Sequence, residues 1–71
     1  MNFCYTRHIR NRIRLRKLSQ QEIEETVTHP EHTEIGPKGE YLAQRTFRGK
    51  ILEVVYKKEK RIILITAYWT E

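Results

Sequence analysis

The stretch that decides how this chain folds runs from Thr6 to Lys17 and reads Thr-Arg-His-Ile-Arg-Asn-Arg-Ile-Arg-Leu-Arg-Lys. It contains five arginines and one lysine but no carboxylate. Its two isoleucines, Ile9 and Ile13, are four residues apart, the spacing that places side chains on one side of a helix. With Thr6 as N-cap, the pattern predicts a helix that runs to about Lys17.

The predicted helix has two charged flanks, one on either side of its isoleucine stripe. At 3.6 residues per turn, the first flank is formed by Arg10, Arg14 and Lys17. The second flank is formed by His8, Arg12 and Arg16. We expect the first flank to be solvated. We expect the second to lie at the border of the core, where a guanidinium is held in a fixed position.

The positive charge of the chain is concentrated in this stretch. The net charge is +5, whereas residues 6–17 alone carry +6, so the rest of the chain is close to neutral. Cations gathered on one element attract phosphate, and the planar guanidinium matches phosphate geometry. Nucleic acid is therefore the first partner to consider. The residues expected to contact its phosphates are Arg10, Arg12, Arg14, Arg16, Lys17, Arg45 and Arg48.

Length and composition predict a single small domain over residues 1–71, with a thin core. Only 38% of the 71 residues are apolar, and chains this short sit near the limit of independent folding. Burial against a second copy of the chain is one source of the missing stability. The single cysteine excludes an internal disulfide, and no apolar run reaches the roughly 20 residues of a membrane span. We expect a soluble cytoplasmic protein with no membrane partner and no cofactor.

A second helix is predicted directly after the basic stretch. Ser19-Gln-Gln-Glu22 is a capping box, in which the serine oxygen and the glutamate each bind an amide of the first turn. The helix buries Ile23 and Val27 and ends near His29, because Pro30 disfavours helical geometry in the residue before it. Its acidic residues could pair in part with the first helix, which is a purely structural explanation of the basic stretch.

The hydrophobic period changes from helical to two from Thr33 onward, as in strands. The predicted strands are 33–35, 40–48, 51–57 and 61–69, with turns at 36–39 and 49–50. The last strand is apolar on both sides, so we expect it to be central or covered on both faces. The predicted fold class is α+β, with two N-terminal helices packed on a three- to four-stranded antiparallel sheet.

Three tyrosines, Tyr41, Tyr56 and Tyr68, lie on predicted strands that neighbour one another. Tyrosine stacks on bases or donates to phosphate, so these residues are candidates for contacting RNA. Tyr41 and Arg45 share a sheet face, while the register needed to place the other two is open. For any single tyrosine we favour simple packing. Trp69 faces away from Tyr68 and is interpreted as a packing or interface residue.

Several short motifs follow one another along nearly the whole chain. They are Thr6-x-His8-x₃-Arg12-x₃-Arg16, Ser19-x₂-Glu22-Ile23, Pro30, Gly39-x-Tyr41, Leu52-x-Val54-Val55-Tyr56 and Ile62-x₂-Ile65-Thr66-x-Tyr68. This order resembles a family of short prokaryotic proteins of unknown function that is grouped with RelE-like toxins and is similar in layout to BrnT-type toxins. The resemblance implies a RelE-like domain, RNA cleavage without a metal and an antitoxin protein as partner.

His8 and Arg12 are the candidate catalytic residues of such an endoribonuclease. Metal-free RNA cleavage needs a base for the 2′-hydroxyl proton and cations that stabilise the charged phosphorane. Imidazole changes charge near neutral pH, and Arg12 would hold the phosphate. The alternative is that His8 only caps or packs the first turn of its helix. The catalytic interpretation depends largely on the resemblance.

Two other functions remain open at this point. The chain is alternatively a nucleic-acid-binding module without chemistry, which needs the basic helix but not His8. It is alternatively a protein-interaction domain whose basic helix docks an acidic partner. The segment His29-Pro30-Glu31-His32 contains metal-binding residue types, but its proline breaks the helix that would align the two histidines. We therefore expect no metal site.

Overall fold

The computed structural model describes residues 2–70, which form two helices and five strands. In chain order these are β1 (Phe3–Tyr5), α1 (Arg7–Arg16), α2 (Gln20–Thr28), β2 (His32–Ile35), β3 (Tyr41–Phe47), β4 (Lys50–Lys58) and β5 (Ile62–Thr70). The predicted α+β class, both helices and four of the strands are confirmed. The sequence analysis missed β1.

The five strands form one mixed sheet in the order β1-β5-β4-β3-β2. Strands β2 to β5 make an antiparallel meander, whereas β1 runs parallel to β5 with Phe3 opposite Ile62 and Tyr5 opposite Leu64. The prediction of a three- to four-stranded antiparallel sheet was therefore wrong at this edge. A three-residue strand is too short to show a period, and its partner is distant in the sequence.

Helix α1 starts where its N-cap predicts and is attached to β5 by the same residue. The Thr6 hydroxyl accepts a hydrogen bond from the Ile9 amide at 3.3 Å and donates one to the Leu64 carbonyl at 2.8 Å. The helix ends at Lys17, whose left-handed backbone directs its N–H to the Ile13 carbonyl. Thr6 thus fixes the start of α1 directly over β5.

Helix α2 forms half of the predicted capping box. The Ser19 hydroxyl accepts from the Glu22 amide at 3.2 Å, and the helix ends before His29 as predicted. The Ser19 amide does not donate the reciprocal hydrogen bond to the Glu22 carboxylate. The Glu22 carboxylate instead accepts a hydrogen bond from Arg48 at 3.1 Å, because the β3–β4 turn brings that guanidinium close to it.

Both helices contribute to one core on a single face of the sheet, which we call the helix face. Helix α1 contacts β5, and α2 contacts β3 and β4. The buried apolar residues of this core are Ile9, Leu18, Ile23, Val27, Ala43, Leu52, Val54, Tyr56, Ile62, Leu64 and Ala67. Strand β5 lies inside the sheet as predicted, but neither helix covers its opposite face. Neither helix is long and apolar enough to cross a membrane.

The turn between β3 and β4 is a two-residue hairpin at Arg48 and Gly49. Both residues have positive φ, 51° and 81°, which is typical of the type I′ turn whose twist matches the flanking strands. The predicted turn, 49–50, was wrong by one residue. Lys50 is the first residue of β4 and pairs with Phe47.

Replacing Ile9 by alanine should destabilise the fold much more than replacing its helix neighbour Leu15. Ile9 is completely buried, whereas 74% of Leu15 is exposed. We expect Ile9→Ala to lower the free energy of unfolding by about 2–5 kcal/mol, and Leu15→Ala to change it by no more than about 0.5 kcal/mol. Urea unfolding of both variants measures this. Equal losses would contradict the orientation of α1.

Candidate nucleic-acid interface

The six cations of the basic stretch, residues 6–17, form no ion pair with any residue in 2–70. Arg12 is half-buried, while the other five, Arg7, Arg10, Arg14, Arg16 and Lys17, are exposed. The ion pairs in this part of the chain join His32 to Glu34, Arg45 to Glu25 and Arg48 to Glu22. The positive charge of α1 is therefore available to an anionic ligand.

The acidic residues of α2 do not neutralise α1, although the sequence left that explanation open. Glu22 binds Arg48 at 3.1 Å, and Glu25 lies 3.3 Å from the Nε of Arg45. Glu24 accepts a hydrogen bond from the Tyr5 hydroxyl. All three carboxylates thus hold strands β1 and β3 and the β3–β4 turn to α2. Pairing between the helices was the wrong explanation of the basic stretch.

The two flanks of α1 differ less in burial than the sequence predicts. Arg10, Arg14 and Lys17 are exposed as expected, but on the second flank only Arg12 is half-buried. His8 and Arg16 are exposed, because they lie near the two ends of the helix. The expectation of a fixed guanidinium at the border of the core therefore applies to Arg12 alone.

His8 lies beside both Arg12 and strand β5. Its Nε2 is 3.1 Å from the Thr66 hydroxyl and 3.4 Å from the Arg12 Nε. A guanidinium only donates hydrogen bonds, so Nε2 accepts when the longer contact forms. The lone pair of Nε2 is then directed at Arg12. The same contacts also pack the first turn of α1 against β5, so the geometry is compatible with both interpretations of His8.

Arg45, Tyr41 and Tyr56 lie on the helix face, away from the exposed surface of α1. Arg45 donates to the His29 carbonyl at 2.7 Å in addition to its ion pair with Glu25. The rings of Tyr41 and Tyr56 stack with their centroids 5.3 Å apart, and only 8% of Tyr56 is exposed. These contacts hold α2 and the sheet together and leave little of Tyr56 to contact RNA.

Tyr68 points to the opposite face of the sheet and binds Glu53. The hydroxyl of Tyr68 and the amide of Gln44, the latter at 2.5 Å, both donate to the Glu53 carboxylate. Glu53 is only 9% exposed, so these two donors satisfy a nearly buried charge. The hydrogen bond to Glu53, with burial, raises the pKa of Tyr68 from 10.0 to about 12.

A shallow pocket of about 330 Å³ lies where the end of α1, the β3–β4 turn and the end of β5 meet. We call it the Trp69 pocket, and it is lined by Arg16, Lys17, Phe47, Arg48, Lys50 and Trp69. The rings of Phe47 and Trp69 meet edge to face, 6.2 Å apart and at 89°. Phe47 and Lys50 were not predicted as site residues, and Trp69 was interpreted as a packing or interface residue, since only the folded sheet brings these segments together.

Two residues of this pocket have unfavourable backbone conformations. Lys17 and Arg48, with φ of 54° and 51°, are the non-glycine residues of positive φ within 2–70. Glycine and asparagine are the usual residues at a helix C-terminus and in a type I′ turn, and another residue costs about 1 kcal/mol or more there. The chain thus places long cationic side chains at two positions where glycine would be more stable.

Residues 5–69 of the chain match the family described as a domain of unknown function, DUF4258. The match spans nearly the whole chain, so the protein belongs to this family. It confirms the expected family of unknown function, while the likeness to RelE-like and BrnT-type toxins stays a prediction. No curated protein and no solved structure matches the chain.

The fold should lose stability in alkaline solution, because two of its tyrosines have raised pKa values. Burial and a hydrogen bond to Glu24 raise the pKa of Tyr5, and the pKa of Tyr68 rises to about 12. Between their ordinary value of 10.0 and these higher values, the unfolded chain releases protons that the folded chain keeps. The stability that these two hydroxyls contribute is therefore fully present below pH 10. It is lost progressively as the pH rises above 10.

Guanidinium unfolding at a series of pH values measures this effect. The variant Tyr5→Phe/Tyr68→Phe should lose less stability than the wild type over the same pH interval, because phenylalanine carries no titrating hydroxyl. Parallel stability curves for the two proteins would show that these hydroxyls are not the source.

Proposed function

We propose that this DUF4258 domain binds RNA through the exposed, unpaired cations of α1. The single observation that carries the proposal is that no carboxylate within residues 2–70 pairs with the six cations of the basic stretch. Like charges on one short helix repel one another, and an anionic ligand removes this repulsion. Arginine, which supplies five of the six, binds phosphate through two parallel hydrogen bonds.

The two ends of α1 would contact different parts of one RNA strand. His8 and Lys17 are nine residues apart, which corresponds to about 13 Å along a helix. An RNA strand that lies along α1 would therefore contact the His8–Arg12 pair at one end and the Trp69 pocket at the other. Arg10 and Arg14 lie between these ends on the exposed flank, where they would bind the phosphates of the intervening backbone.

Removing Arg10 and Arg14 should weaken RNA binding and reduce its salt dependence. Both side chains are exposed, and within residues 2–70 they bind only the Tyr5 carbonyl and the Asn11 side chain. We expect Arg10→Ala/Arg14→Ala to raise the Kd for single-stranded RNA about tenfold at low salt. The plot of log K against log salt should become less steep by about 1.4, since each lost phosphate contact removes about 0.7.

A matched control removes two cations from the other end of the sheet. Lys57 and Lys58 are exposed residues of β4, and their replacement by alanine changes the net charge by the same amount. If both double variants lose affinity equally, binding depends on overall charge and not on α1. If wild type has no affinity for RNA at low salt but retains an acidic protein partner, α1 is a protein-docking helix.

Metal-independent RNA cleavage is the second candidate function, and the observation behind it is the contact between His8 and Arg12. On binding RNA, the His8 Nε2 would exchange its contacts with Arg12 and Thr66 for the proton of a 2′-hydroxyl. Arg12, half-buried beside it, would stabilise the negative charge that develops on the phosphorus oxygens. A toxin of this kind would be neutralised by an antitoxin protein, and a small acidic protein encoded by an adjacent gene would support that pairing.

The variant His8→Ala tests cleavage separately from binding. We expect it to reduce the cleavage rate by about 10²–10⁴-fold in the presence of a chelator, while the Kd for RNA stays within about threefold of wild type. Labelled RNA resolved on a denaturing gel measures the rate. If the wild-type protein binds RNA but leaves it intact, the domain is a binding module and His8 has a packing role.

A further inference from the structure

We infer that the Trp69 pocket holds one unpaired nucleotide of a single-stranded nucleic acid. The base would lie against Phe47 and Trp69, and the adjoining phosphates would bind Lys17, Arg16 and Lys50. The inference rests on the proposed function and narrows its ligand from RNA in general to a strand with at least one unstacked base. A duplex has no free base to offer and would bind through its phosphates alone.

The shape of the pocket fits a ligand of nucleotide size. Its volume of about 330 Å³ lies at the lower end of the range of about 300–1,000 Å³ found for small-molecule sites. It is also open to solvent on one side, as a nucleotide within a continuous strand requires. The pocket continues directly from the last turn of α1. Its occupant would therefore belong to the same RNA strand that lies along α1.

Two half-buried aromatic rings provide the surface for the base. The edge-to-face arrangement of Phe47 and Trp69 fixes their relative orientation, and the half-buried state of both leaves part of each ring accessible. Stacking between a base and an aromatic ring tolerates any base, since every base has a π-face. An acidic peptide would use the cations of this pocket but would have no comparable use for its rings.

The charges around the rings suit the phosphates on either side of a base. Arg16, Lys17 and Lys50 are exposed and form no ion pair within residues 2–70. Arg48 itself binds the Glu22 carboxylate at 3.1 Å. The net charge of the four cations with Glu22 is therefore +3, on the rim of an aromatic surface.

The choice of residue at positions 17 and 48 agrees with a ligand in this pocket. Each position would be more stable with glycine, yet each presents a long cationic side chain to the same pocket. Unfavourable backbone conformations concentrate where function requires them. Lys17 and Arg48 are 31 residues apart in sequence, yet both line the same pocket. A ligand bound in this pocket would explain why both positions carry a cation and not a glycine.

The fluorescence of Trp69 reports directly on occupancy, because it is the only tryptophan of the chain. We expect an oligouridylate to quench it in a saturable manner, through stacking of uracil. A duplex RNA of equal length and tripolyphosphate should bind without comparable quenching. A deoxyuridine oligomer that quenches equally would show that the pocket accepts either sugar, and weaker quenching would identify RNA as its ligand.

Equal quenching by tripolyphosphate or by duplex RNA would overturn the inference, since neither presents an unpaired base. Quenching by polyglutamate but not by oligouridylate would overturn it in favour of an acidic protein partner. Anisotropy of labelled RNA is recorded in parallel. Binding without any change in Trp69 emission refutes the pocket and leaves the proposed function intact, whereas no binding at all refutes the proposed function as well.

The variant Lys17→Gly separates a ligand-binding role from a structural one. Glycine relieves the left-handed backbone, so we expect the Tm to stay constant or to rise by up to about 4 °C. The Kd for oligouridylate should nevertheless rise about fivefold, with a salt slope less steep by about 0.7. Lys60→Gly is the matched control, because Lys60 is an exposed lysine outside the pocket, and it should leave the Kd nearly unchanged. A Lys17→Gly protein that binds oligouridylate as tightly as wild type would contradict the inference.

Discussion

The Thr6 hydroxyl is the contact on which the arrangement of this domain depends. It caps the first turn of α1 through the Ile9 amide and donates to the Leu64 carbonyl of β5. One side chain, directly after β1, thus starts α1 and attaches the helix to β5, which lies next to the edge of the sheet. With that start fixed and Ile9 fully buried, helical geometry turns the arginines of α1 other than Arg12 away from the core. The exposed basic surface is therefore a consequence of how the helix is anchored.

The ion pairs among residues 2–70 leave this surface unneutralised. The carboxylates of α2 bind Arg48, Arg45 and Tyr5, and Glu53 is satisfied by Tyr68 and Gln44 on the other face of the sheet. These contacts join elements that are distant in sequence. They stabilise the fold and at the same time occupy these carboxylates, so that the cations of α1 stay available to an anionic ligand.

The candidate site could be predicted from the sequence only where it lies on a single element. Helical spacing placed His8, Arg12 and Arg16 on one side of α1, and the contact between His8 and Arg12 follows from their separation of four residues. The pairing of Arg45 with Glu25 could not be predicted, because it depends on how α2 packs on β3. The Trp69 pocket was not predicted either, because its six residues come from segments that only the fold brings together: the end of α1, the β3–β4 hairpin and β5.

The sequence by itself determined both helices, their caps at Thr6 and Ser19, four strands and the α+β class, because these depend on neighbouring residues and on hydrophobic period. Only the tertiary structure decided the parallel β1–β5 pair, the separation of Tyr41 and Tyr56 from Tyr68, and the partners of the α2 carboxylates. Each of these depends on contacts across the sheet or between helix and sheet. No local sequence pattern predicts these contacts, because strand register and packing depend on the whole core.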